Sequence, residues 1–184
     1  MTPLTRRQML KLTGFGAGAL GLSAALLMRG GGSAHYRSLL PGGLVPRTLG
    51  EKELAVLHAF CDRIITADRP TAREARVAER IDRELAFHAP RLRRDLGAAL
   101  LLVEHGGPLH LQATRFTRLR PDAQDARLTA MSVGLDLEQQ AFFGLRLVCT
   151  FFYYCDERTW PGIHYGGPMT ARKPPPADSN PFAS

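Results

Sequence analysis

Among the side chains of types suited to bond chemistry, residues 48–168 hold five of the chain's six histidines (His58, His88, His105, His110 and His164), all three cysteines (Cys61, Cys149 and Cys155) and one serine, Ser132. Each type needs company at a particular spacing. A carboxylate-bridged di-iron bundle takes E-x-x-H pairs from two helices, but Glu104 directly precedes His105 and Glu84 lies four residues before His88. Zinc and iron–sulfur sites use C-x-x-C pairs, and covalent c-type haem uses C-x-x-C-H; the sequence has neither. No G-x-S-x-G surrounds Ser132, so a serine hydrolase is excluded. The run Gly14-Phe15-Gly16-Ala17-Gly18 follows no strand and falls in an N-terminal signal, so it is no dinucleotide loop. Histidines scattered in this way read as surface or hydrogen-bonded residues. The expectation is a chain with no catalytic residues and with no cofactor or metal of its own.

That signal is Thr5-Arg6-Arg7-Gln8-Met9-Leu10-Lys11, followed by a weakly apolar run from Leu12 to Met28. Arg6 and Arg7 give a receptor a fixed double charge, Leu10 and Lys11 complete the pattern, and Met9 stands where Phe is commoner. It reads as a twin-arginine export signal, an address for the translocation machinery that carries proteins already folded. The run holds Gly14, Gly16, Gly18 and Gly21, which weaken it as a helix. At 17 residues it also falls short of the roughly 20 that span a bilayer. Gly32-Ser33-Ala34 places small residues where a signal peptidase inspects, so cleavage after Ala34 is expected. The localisation implied is the periplasm, or the periplasmic face of the inner membrane.

Arg6, Arg7, Lys11 and Arg29 lie in or beside this leader, whereas the first acid is Glu51, so without them the net charge of +7 falls to +3. The remaining basic residues alternate with acids, as in Glu79-Arg80-Ile81-Asp82-Arg83-Glu84. That is the pattern of a solvated helix face, and nucleic acid is not indicated. The three cysteines are too few for a disulfide scaffold, although one pair could oxidise outside the cytoplasm.

The elements that must position these side chains read as helix after helix around one core, an all-α domain of five to six helices. The organisation expected is a signal over 1–34, a linker over 35–47, a helical domain over 48–168 and an extended tail over 169–184. Thr48 and Glu51 suggest a capping box before Leu54, Leu57, Cys61 and Ile64, giving a helix over about 50–65. Thr71 and Glu74 repeat it before Val77, Ile81 and Leu85. Pro90 suits the first turn of a helix carrying Leu92, Leu96, Ala99, Leu100 and Val103, which Gly106-Gly107 would end. Phe116 and Leu119 end a short helix, and Pro121 begins another presenting Ala126, Leu128 and Met131 to the core.

From Leu137 to Tyr154 the chain is apolar nearly all round, as expected of a helix buried among the others or against a partner. Arg146 interrupts it, and a buried guanidinium there would need Asp136, Glu138 or a partner's carboxylate. The segment Tyr153 to Pro168 mixes aromatics with turn formers, and Pro174-Pro175-Pro176 marks a polyproline-prone tail.

The leader, Cys61-Asp62-Arg63-Ile64-Ile65, and the terminal run through Tyr154, Arg158-Thr159-Trp160 and Ile163-His164-Tyr165-Gly166-Gly167-Pro168 together resemble the gluconate 2-dehydrogenase subunit 3 family. Thr66 stands where that family often has Pro. The resemblance implies a helical small subunit, without a cofactor, that assists maturation of a large FAD-dependent sugar or alcohol dehydrogenase subunit and exports it as a passenger. In such complexes a cytochrome c subunit commonly takes the electrons onward. Tyr154, Arg158, Trp160, His164 and Tyr165 are the expected contacts with the flavoprotein, with Trp160 and Tyr165 as ring anchors. The rivals are a stand-alone exported redox or metal protein and a periplasmic structural protein.

Overall fold

A computed structural model describes residues 33–42, 44–110 and 114–168. The leader's Arg6, Arg7, Leu10 and Lys11 and the tail from 169 lie outside them. Within the described residues six α-helices follow one another, with no strand: α1 Ser33–Leu39, α2 Glu51–Ile64, α3 Val77–Glu84, α4 Pro90–His105, α5 Pro121–Val133 and α6 Asp136–Tyr154. Single 3-10 turns link several of them, and one, Glu157–Ile163, follows α6.

Local chemistry sets the boundaries where it was expected to. Pro90 and Pro121 open α4 and α5 at the position where a missing N–H costs nothing. Gly106 ends α4, where a β-carbon would lie 2.5 Å from the Leu102 carbonyl oxygen. The Thr71–Glu74 box closes in both directions, Thr71 N–H to Glu74 Oε2 at 2.7 Å and Glu74 N–H to Thr71 Oγ1 at 3.2 Å. It caps a turn, because Arg76 takes a left-handed conformation before α3 begins at Val77.

The first box is placed differently. Gly50 is the N-cap of α2, and its N–H is held by Glu53 Oε2 at 2.7 Å. Thr48 gives its N–H to Asp82 Oδ1 at 2.9 Å, one of three backbone donors this buried carboxylate collects from Arg47, Thr48 and Leu49. Helix α1 begins in the last two residues of the span read as a signal and runs into the span read as a linker, and its Tyr36 is buried.

The core is one cluster in which Leu54, Leu57 and Phe60 of α2 meet Ile81, Leu100, Met131 and Leu145. Each such side chain contributes about 1.5 to 3 kcal/mol on burial. Helix α6 is the central element, packed on α2, α3, α4 and α5. Two expected core residues face water instead: Leu92 is exposed in the first turn of α4, and Ala126 is exposed while Arg127 beside it is buried. Arg146 is likewise exposed. Glu138, one of its expected partners, instead accepts from His110 Nε2 at 2.7 Å and from Leu135 N–H at 3.1 Å.

Candidate partner-docking face

Helix α6 divides its apolar residues between two faces. Ala141, Phe142, Leu145, Cys149 and Tyr153 recur at helical spacing and are buried. Phe143, Leu147, Phe151 and Tyr154, spaced by four, four and three residues, form a second ridge that is exposed among the described residues. Leu147 is 72% exposed and Phe151 62% exposed. Val133 and Leu135, just before α6, are exposed too. Lone exposed apolar residues need no explanation, but a continuous ridge of large ones marks a surface that something covers.

Gly144 lies within this ridge, and a β-carbon built there would meet nothing within 4 Å. Glycine inside a helix costs about 0.5 to 1 kcal/mol relative to alanine. No contact among the described residues requires it. A local rule broken without internal compensation is the mark of a functional surface, and a bare backbone among Phe143, Leu147 and Phe151 admits close approach by another chain. Gly144→Ala is accordingly expected to stabilise the isolated chain by about 0.5 to 1 kcal/mol, whereas Gly144→Trp leaves its melting temperature nearly unchanged and weakens partner binding at least tenfold. Thermal melts and a binding titration check both.

The segment after α6 is held by Asp156. Its buried carboxylate accepts from Arg158 N–H at 3.1 Å, Arg158 Nε at 2.9 Å and Nη2 at 2.7 Å, and from Arg80 Nη2 at 3.0 Å. The Arg158 hydrogen bonds hold its pKa down to about 2. Arg158 also donates to the Glu74 carbonyl at 2.8 Å, so it ties the C-terminal segment to the turn before α3. Trp160 donates its indole N–H to the Tyr154 carbonyl at 2.9 Å and meets Tyr165 edge-on, with ring centroids 5.1 Å apart. Gly167 sits against it at φ 89°, where a β-carbon would be 3.2 Å from the Trp160 ring. His164 occupies a left-handed conformation at φ 53° and is exposed, as is Tyr165. Of the five contacts expected from the sequence, Tyr154, Arg158, His164 and Tyr165 present surface, Arg158 while also bound to Asp156 and the Glu74 carbonyl, and Trp160 is half-buried. The ridge residues Phe143, Leu147 and Phe151 were not singled out, although the apolar character of both faces of α6 was the signal for them.

The remaining chemistry-bearing groups point inward or stand apart. Burial, with Lys52, Arg115 and Arg127 around it, pulls His105 down to about 4. His58 is buried and also lowered, chiefly by desolvation. His88 Nδ1 lies 2.9 Å from the Glu84 carbonyl oxygen. Among the described residues no three His, Cys, Asp or Glu side chains gather as a metal site, and no helix is long and apolar enough to cross a membrane.

An all-α chain whose carboxylates are spent on holding helices together, and whose apolar surplus faces outward, is organised as a component of a larger assembly. It belongs to the gluconate 2-dehydrogenase subunit 3 family, whose model matches residues 51–167. The matched region runs from the first residue of α2 to Gly167. No curated protein and no solved structure matches the chain.

Proposed function

We propose that this chain is the non-catalytic small subunit of an FAD-dependent sugar or alcohol dehydrogenase, that it binds the flavoprotein through the α6 ridge, and that it carries the assembled pair through the twin-arginine route to the periplasm. The observation that carries the binding role is the ridge Phe143–Leu147–Phe151–Tyr154 with Gly144 bare among them. FAD belongs to the large subunit, and a cytochrome c subunit receives the electrons. The small subunit acts by linkage: whatever binds only the folded form of the flavoprotein raises its stability with the logarithm of the free concentration over Kd. Export then follows from the leader residues Arg6, Arg7, Leu10 and Lys11.

Replacing Arg6 and Arg7 with Lys keeps the charge and changes the side chains a receptor reads. With the large subunit coexpressed, cell fractionation is expected to find the flavoprotein retained in the cytoplasm and still copurifying with this chain. Normal export of the flavoprotein by the double variant would overturn the escort role. A flavin or metal found in this chain purified alone would instead favour a self-contained redox protein.

A further inference from the structure

Cys61 of α2 and Cys149 of α6 meet inside the core, with their sulfur atoms 3.4 Å apart and neither residue exposed to solvent by more than 1%. They are separated by 88 residues of sequence. Cys155, a turn and a half further on, is exposed and free. A buried cysteine commonly serves as a small apolar filler, but that role does not call for two of them sulfur to sulfur. Neither thiol takes part in the docking face or the leader.

We propose that Cys61 and Cys149 are a disulfide-forming pair, open while the chain folds in the reducing cytoplasm and closed after export, tying the first long helix to the docking helix. The proposal rests on the export reading for its timing only. Closing the pair brings the sulfurs from 3.4 Å to about 2.05 Å, a shift of under an ångström for each side chain. Two S–H bonds break and one S–S bond forms. The S–S bond of a disulfide oxidant, either glutathione disulfide or the active disulfide of an exported thiol oxidase, breaks in exchange; the two electrons and, by way of solvent, the two protons end on its sulfurs as two thiols. Thiolate is the attacking species, and the hydrogen bond to Cys149, followed by burial, holds the Cys61 thiol well above its ordinary range. Closure in the intact fold is therefore slow and proceeds through local opening of α2 from α6. Once made, the link restricts the unfolded chain over a long loop and so stabilises the fold.

The test uses the full chain purified reduced, equilibrated with a glutathione–glutathione disulfide buffer in urea just below the unfolding midpoint, so that the core opens reversibly. After urea removal the thiols are alkylated and the protein is digested for mass spectrometry. A Cys61–Cys149 cross-linked peptide is expected, with Cys155 outside it, and a melting temperature raised by roughly 5 to 10 °C that dithiothreitol reverses. Cys155→Ser keeps that response, and Cys149→Ser and Cys61→Ala each abolish it. Three alkylated thiols at equilibrium in excess glutathione disulfide, or a cross-link joining Cys155 to either partner, would overturn the pair. A chain that fails to leave the cytoplasm would overturn the export reading and leave this in vitro outcome untouched.

Discussion

The double variant Leu147→Glu, Phe151→Lys is expected to bind the dehydrogenase's large subunit at least about 100-fold more weakly while folding as the parent does. The two positions are four apart on the solvent face of α6. Glu placed before Lys at that spacing gains a few tenths of a kcal/mol for an isolated helix, so secondary structure and melting temperature should hold. At an interface the same change is severe. Central large apolar side chains contribute about 2 kcal/mol or more each when truncated, and here two charges would also have to leave water against an apolar surface. Val45→Glu, at an equally exposed apolar position between α1 and α2, is the control and should leave binding unchanged. Titration of the purified large subunit with each variant, read by calorimetry, decides the matter. Equal affinity for parent and double variant would remove the ridge from the interface and move attention to Tyr154, His164 and Tyr165.

Why that ridge was half legible follows from the composition of α6. A helix with one apolar stripe announces its buried side, because the polar residues mark the other. Here both faces carry Phe and Leu, so phase is lost, and Arg146, a polar residue on the outer side, reads as an interruption of a buried helix. The converse happened on α5, where Ala126 and Arg127 exchange expected roles. Sequence alone cannot show that a guanidinium is buried when one of its acceptors is the carbonyl of Thr114, 2.9 Å away across a turn. Helices α4 and α5, by contrast, open at the expected Pro and α4 ends at the expected Gly, while α2 falls within a residue of its expected bounds although Glu53 rather than Glu51 serves its cap.

What escaped entirely depends on partners distant in sequence. Thr48 fails to cap α2 because Asp82, 34 residues on, holds its N–H. Helix α1 sits in a stretch rich in Gly and Pro, and its one strong anchor, Tyr36, is fixed by Glu104, 68 residues away. Such contacts carry no local signature. Their consequence for the proposed maturation is concrete: cleavage after Ala34 would remove the first two residues of α1 and leave the rest, from His35, at the new N-terminus, tethered by Tyr36 and by the Arg37 pair with Glu51 at 2.7 Å.

Glu104 is where loss should cost most inside the fold. Its fully buried carboxylate accepts from Tyr36 Oη at 2.8 Å, Thr117 N–H at 3.0 Å and Thr117 Oγ1 at 2.8 Å, joining α1, α4 and the turn at Phe116–Arg118. Arg127 lies within its field. Glu104→Leu removes the acceptor of a phenol, an amide and a hydroxyl and takes a favourable charge away from a buried guanidinium, so a loss of about 3 to 5 kcal/mol is expected, or roughly 10 °C or more in melting temperature. Tyr36→Phe removes one donor and should cost about 1 to 2 kcal/mol. The two losses should add to more than the double variant shows, because both delete the same hydrogen bond. The pair also sets an alkaline limit. Burial first, and then the hydrogen bond to Glu104, push the Tyr36 phenol from 10.0 to about 12, so the folded chain holds that proton more tightly than the unfolded one. Its contribution is complete below pH 10 and is lost as pH rises through about 12. Urea unfolding followed across that window should show stability falling in the parent, with a shallower fall in Tyr36→Phe; parallel curves would mean that the phenol is not held by Glu104.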